Sequence, residues 1–191
     1  MKKLKIAVIG AGSTYTPELM NGFITRNRQL QVDSFYMMDI DKEKTEIVTG
    51  LGKRMLEANG MSSRVIITDN MEEAVEGADY VLGQVRVGKL DARVRDEKIP
   101  LKYDLLGQET TGAGGFMKAL RTIPVMMDIA KKIEKLSPKA WFINFSNPSG
   151  IIAEALLNHT DVKMMGLCNA PINMIRRAKE LLPKGTKKFD Y

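Results

Sequence analysis

Four stretches of this sequence combine residue types that do chemistry. The first is Gly10-Ala11-Gly12-Ser13-Thr14-Tyr15, directly after the apolar run from Leu4 to Ile9. Glycines in such a turn let the backbone approach a pyrophosphate, and a helix starting behind it offers unpaired N–H groups and a positive dipole end. Tyr15 stands where the third glycine of the usual dinucleotide fingerprint falls. Asp39 ends the second apolar run. A carboxylate there accepts both ribose hydroxyls and repels a 2′-phosphate, which favours NAD over NADP. The plain alternative is a tight strand-to-helix turn with a helix-capping acid.

The run Asn144-Phe145-Ser146-Asn147-Pro148-Ser149-Gly150 offers two amides and two hydroxyls. These can hydrogen-bond a polyol or orient a nicotinamide carboxamide, and capping of the next helix explains the same residues equally well. Cys168, followed by Asn169 and Pro171, is the only cysteine. A lone cysteine is ordinarily a small buried hydrophobe. As a nucleophile it needs a basic partner, and the only histidine, His159, falls at the other end of that strand. As a thiolate it can be one ligand of a metal whose other ligands come from elsewhere. Between 86 and 115, Arg86, Arg93, Asp96, Gln108 and Glu109 stand among Gly88, Gly107, Gly112, Gly114 and Gly115. This segment is expected to be a substrate-facing loop, with arginine forks suited to phosphate or carboxylate and glycines that admit a ligand closely.

The elements that must position these residues alternate along the chain. Apolar runs at Leu4 to Ile9, Val32 to Asp39, Arg64 to Thr68, Tyr80 to Val85, Ala140 to Phe145 and Val162 to Leu167 have the form of buried parallel strands. Helical patterns separate them. Thr16-Pro17-Glu18 gives an N-cap, a proline at the first helical position and an acid in the first turn. Asp41 caps a long helix that Gly60 closes, and further helices cover about Met71 to Glu76, Phe116 to Leu136, Ile151 to Asn158 and from Pro171 onward. Strands alternating with helices imply a parallel sheet with right-handed crossovers. Six strands with a glycine turn after the first predict a Rossmann-like, doubly wound α/β fold.

Composition removes several classes. With 191 residues, 44% of them hydrophobic, the chain is long enough to bury a core. No run approaches a membrane span, and the apolar run behind the basic N-terminus breaks at Gly10, so no signal peptide is expected. One cysteine excludes an intrachain disulfide framework, and a cytoplasmic setting is the default. The net charge of +6 is spread: Lys42, Lys44, Lys53 and Arg54 interleave with Glu43, Glu46 and Glu57. Such interleaving, with only 6% aromatics, argues against nucleic acid as a partner and leaves a small anionic ligand.

The run Gly10 to Leu19, wording Gly-Ala-Gly-Ser-Thr-Tyr-Thr-Pro-Glu-Leu, resembles the N-terminal signature of the NAD-dependent family 4 glycoside hydrolases, in its 6-phospho-β-glucosidase form. Arg93 to Tyr103, Gly107-Gln108-Glu109-Thr110, Asn144 to Pro148 and Gly166-Leu167-Cys168-Asn169 agree with it, so the resemblance covers nearly the whole chain. This family stands apart from two-carboxylate glycoside hydrolysis. The resemblance implies oxidation of a sugar C3 hydroxyl by NAD, removal of the C2 proton, a metal-stabilised enediolate, elimination at C1, water addition and re-reduction. It implies a phosphorylated disaccharide as substrate, NAD and a divalent metal, Mn²⁺, as cofactors. It also implies Gly10, Gly12, Ser13, Thr14 and Asp39 at the dinucleotide and Cys168 at the metal. Arg93 would pair with the 6-phosphate, and Glu109, Asn147 and Asn169 would line the substrate pocket.

The family's chains are much longer than this one. The expectation is therefore a dinucleotide-binding domain over 1–170 and the start of a substrate domain over 171–191, with the rest of that domain missing. By resemblance the base and a second metal ligand lie beyond residue 191, Tyr191 is not that base, and no catalytic residue is assigned within this chain. An apolar face left by an absent domain favours a homo-oligomer. Two alternatives stand beside this: a hydroxy-acid dehydrogenase sharing the same sheet, and a non-catalytic NAD-binding module.

Overall fold

A computed structural model describes residues 3–182. Six strands, β1 (Leu4–Ile9), β2 (Val32–Met38), β3 (Arg64–Thr68), β4 (Tyr80–Gly83), β5 (Trp141–Asn144) and β6 (Lys163–Gly166), form one sheet in the order β3-β2-β1-β4-β5-β6, every pair parallel. The helices are α1 (Thr16–Thr25), α2 (Lys42–Ala58), α3 (Met71–Val75), α4 (Lys89–Leu101), α5 (Gly112–Leu136), α6 (Ser149–His159) and α7 (Asn169–Leu181). This is the dinucleotide-binding order of the doubly wound fold, reversing direction between β1 and β4.

The sheet is apolar on both faces because helices cover both. In β1, Ile6 and Val8 pack with Met20, Phe35, Met37 and Leu56 beneath α1 and α2. Ala7 and Ile9 face the other way, toward Val81, Met126, Ile129, Ile133, Phe142, Ile152 and Leu156 beneath α3, α5 and α6. Each fully buried Leu, Ile or Phe side chain contributes about 2 kcal/mol by transfer from water. Asp41 caps α2, accepting from Lys44 N–H at 3.3 Å, as expected, and Gly60 follows that helix in the left-handed conformation at φ 70°.

Two local expectations are corrected. The polar stretch 86–115 is not a loop: residues 89–101 form α4, and only 102–111 link it to α5. The helix survives its polar composition because Ala92, Asp96 and Pro100 turn one face inward, Pro100 sits in the last turn, and Arg93 pairs with Glu97 one turn on at 2.7 Å. Two of its glycines serve close backbone packing. A Cβ on Gly107 would strike the Glu97 carbonyl, and one on Gly114 the Gln108 carbonyl. Likewise Thr16 is not the N-cap of α1. It is the first helical residue, and its hydroxyl turns inward to donate to the Ala11 carbonyl at 2.7 Å.

Candidate functional site

Strand register sets the site. Ile9 pairs with Met38 on one side and Gly83 on the other, Gly83 pairs with Asn144, and Asn144 with Gly166. The residues that follow these five strands therefore leave the sheet at one level. Gly10, Asp39, Gln84, Phe145 and Leu167 share a single edge, the carboxyl ends of the strands, where open α/β sheets bind ligands.

The glycine turn is fastened from both sides. Gly10 has φ 91°, and a Cβ there would lie 2.8 Å from the backbone of Gln84, so only glycine fits. The Asp39 carboxylate accepts from the Gly12 N–H at 2.9 Å through Oδ2 and from the Asp41 N–H at 3.1 Å through Oδ1. The Gln84 amide donates to the Gly10 carbonyl at 3.3 Å and to the Thr16 hydroxyl at 2.7 Å. Ser13 accepts from the Tyr15 N–H at 3.2 Å, and Thr14 is exposed beside it. Tyr15 meets Phe145 edge to face, with ring centroids 5.6 Å apart, tying the turn to the exit of β5. Gly10, Ala11 and Gly12 are buried, and the N–H groups from Gly10 to Ser13 donate to Met38, Asp39 and Gly10. The turn leads into the ten-residue α1, whose N-terminus has no side-chain cap and carries the positive dipole end that suits an anionic dinucleotide. A shallow pocket next to it is lined by Asp39, Lys42, Thr45, Ile67, Thr68 and Asp69.

Arg93 and Glu109 belong to a second group, which two further cations complete. Glu109 receives Lys118 at 2.5 Å and Arg86 at 3.0 Å on Oε1, and Arg93 at 3.3 Å on Oε2. Arg93 is shared with Glu97, so three cations face two carboxylates and one positive charge is in surplus. Burial pushes the Glu109 carboxyl up. The hydrogen bond and charge of Lys118, with the charges of Arg93 and Arg86, outweigh that and hold it below its ordinary value. Burial lowers the Lys118 ammonium, against the opposing pull of Glu109. Arg121 fixes this group from behind: both terminal nitrogens grip Asp96, at 3.1 and 2.6 Å, while Nε donates to the Val87 carbonyl at 3.0 Å. That fork holds α4 on α5 and thereby holds Arg93 toward Glu109.

Of the run after β5, Asn144 is no candidate for a ligand. Buried, it spends its amide on Ser146, accepting from its N–H at 2.9 Å and donating to its carbonyl at 3.1 Å. Asn147 is half-buried and joined to Pro148 by a cis peptide bond. Cys168 is exposed, contrary to the expectation for a lone cysteine, and its sulfur accepts from the Ala170 N–H at 3.4 Å at the start of α7. Asn169 is the first residue of that helix and is exposed. Among the described residues no group of three His, Cys, Asp or Glu side chains is placed to hold a metal ion. Cys168 by itself does not make such a site, and no metal-dependent step is assigned to these residues. His159 is exposed at the end of α6, remote from the site edge, as expected. Tyr191 lies outside the described residues.

Gln84, Lys118 and Arg121 escaped the sequence reading. Gln84 did leave a signal, as a polar residue closing an apolar run. Lys118 left another, falling in phase with Gly114, Gly115, Ala119, Thr122, Met126 and Ile129 on the buried stripe of α5. Nothing in the sequence joins Arg121 to Asp96, which lie on different helices.

The model of the family 4 glycosyl hydrolases matches residues 5–183. A probable 6-phospho-beta-glucosidase of Bacillus subtilis (strain 168) is 51% identical over 176 residues, which are 91% of this chain and 40% of that protein. A 6-phospho-beta-glucosidase of Escherichia coli (strain K12) is 47% identical over 95% of this chain and 41% of its own length. The crystal structure of the Thermotoga maritima 6-phospho-beta glucosidase with manganese, NAD⁺ and glucose-6-phosphate superposes with a TM-score of 0.87 at 46% identity, covering 93% of this chain and 43% of that one. The chain spans about two fifths of the length of these relatives. With the sheet order, the glycine turn and a family match over nearly every residue, the chain belongs to the family 4 glycosyl hydrolases.

Proposed function

We propose that this chain is the dinucleotide-binding part of an NAD-dependent 6-phospho-β-glucosidase. The observation that carries the reading is the glycine turn at the carboxyl end of β1, clamped on Asp39 through the Gly12 N–H at 2.9 Å and leading into the uncapped N-terminus of α1. Gly10, Gly12, Ser13 and Thr14 would take the pyrophosphate. Asp39, its position fixed by two backbone donors, would keep lone pairs for the ribose hydroxyls and repel a 2′-phosphate. When bound, the dinucleotide supplies reversible oxidation of a sugar carbinol.

The same reading takes the surplus positive charge around Glu109 as the entry for a phosphorylated sugar, with Arg93 toward the 6-phosphate and Glu109 and Asn147 toward hydroxyls. Cys168 and Asn169 fall at the β6 exit, on the edge shared with the glycine turn. Cys168 is there a single thiol for a divalent metal such as Mn²⁺, the ion carried by the Thermotoga relative. The boundary near residue 170 suits α7, which has no buried residue and exposes Ile172 and Met174. That apolar face suits self-association as well. A cytoplasmic setting suits an exposed free thiol, and among the described residues no helix is long and apolar enough to cross a membrane. The plain dehydrogenase rests on the sheet alone and gains no observation.

The test is a calorimetric titration of NAD⁺, with NADP⁺ as control, into the 191-residue chain. The expected result is saturable binding that prefers NAD⁺. A folded chain that binds neither nucleotide overturns the reading.

A further inference from the structure

Lys89 departs from ordinary backbone geometry: it lies at φ 55°, directly after Gly88 at φ 80°. A lysine in the left-handed region carries a steric cost and persists where its surroundings hold it there. Its Nζ donates to Asp41 Oδ2 at 3.2 Å. Lys89 opens α4, six residues past the end of β4, and Asp41 follows β2, two residues past Asp39. In the sheet those strands are separated by β1, whose exit is the glycine turn. The pair therefore links segments that leave the sheet on either side of that turn. Asp41 is held at its end as the cap of α2, and its carboxyl lies below its ordinary value through the Lys44 N–H and the Lys89 ammonium.

We propose that Lys89 is a positioning residue of the dinucleotide site: paired with Asp41 across the glycine turn, it sets the width of the crevice that receives the adenosine half of the cofactor. The proposal rests on the reading that this chain binds NAD. Lys89 acts through Asp41 and the two strand exits, and touches no reacting atom.

The experiment measures binding of NAD⁺, ADP-ribose and nicotinamide mononucleotide to the 191-residue chain carrying Lys89→Met, Asp41→Asn, both, or Lys89→Arg. Asparagine keeps the α2 cap while removing the charge, and residue 89 is on the surface, so the variants fold. Each single change is expected to weaken NAD⁺ and ADP-ribose by about threefold to fivefold, the reach of one exposed ion pair. The double variant is no weaker than either single one, Lys89→Arg restores binding, and nicotinamide mononucleotide is unaffected. Added salt weakens the wild type more than the variants. Unchanged affinity in Lys89→Met, additive losses in the double variant, or an equal loss for nicotinamide mononucleotide overturns the proposal. A wild-type chain that binds neither NAD⁺ nor ADP-ribose overturns the NAD reading and this proposal together. Failure of the clasp alone is told apart by a wild type that binds and variants that bind equally well.

Discussion

Gln84 Nε2 donates to Thr16 Oγ1 at 2.7 Å, joining the exit of β4 to the first residue of α1 across the switch point of the sheet. Thr16 in turn donates to the Ala11 carbonyl at 2.7 Å, so one hydroxyl serves both walls of the glycine turn. Gln84→Leu removes the donor while keeping the volume. NAD⁺ affinity is expected to fall about fivefold to tenfold, in line with the loss of the two partly buried hydrogen bonds this amide donates, and calorimetry of the variant checks it.

Asp39→Asn tests the other wall. An amide keeps one acceptor but turns an NH₂ toward a backbone N–H, at either Gly12 or Asp41. The chain should lose about 1–2 kcal/mol in urea unfolding. Its preference for NAD⁺ over NADP⁺ should narrow in parallel titrations, since the charge that repels a 2′-phosphate is gone.

Asp96→Ala leaves Arg121 without the carboxylate that both its terminal nitrogens hold. Asp96 is buried, whereas Arg121 is partly reached by water, so the loss should be about 2 kcal/mol rather than the larger cost of a fully buried pair. Because α4 then loosens on α5, Arg93 should also drift from Glu109. A thermal melt reads the first effect and an NMR shift at Glu109 the second.

Glu109 makes part of the stability depend on pH. Its carboxyl lies below its ordinary value in the folded chain, so in that interval the unfolded chain binds more protons. Its contribution is present above the ordinary carboxylate range and is lost as pH falls through the lowered folded value. Lys118→Met removes the hydrogen bond and charge that Lys118 sets against burial. The variant should show a smaller acid-linked loss in melts taken from pH 7 downward, and an upward shift of the Glu109 carboxyl titration by ¹³C NMR.

The alternation of apolar runs with capped helices was enough to determine the class of fold, because a strand buried on both faces must be continuously apolar and a parallel strand must return through a helix. The place of the turn at Gly10–Ser13 and of the acid Asp39 on the carboxyl edge was legible for the same reason, since each directly follows a strand. The stretch 86–115 was misread because its helix is stabilised by Asp96–Arg121 and by glycine contacts from another segment, which leave no periodic trace in the sequence. Cys168 and Asn144 exchanged their expected places, the thiol exposed and the amide buried, since local type sets neither. Tertiary structure alone decided which charges meet: Arg86, Arg93, Glu109 and Lys118 come from four successive segments, the link after β4, α4, the link to α5, and α5. Their grouping depends on the register of β4 and the packing of α4 on α5, and Coulombic attraction acts over distances in space, not along the sequence.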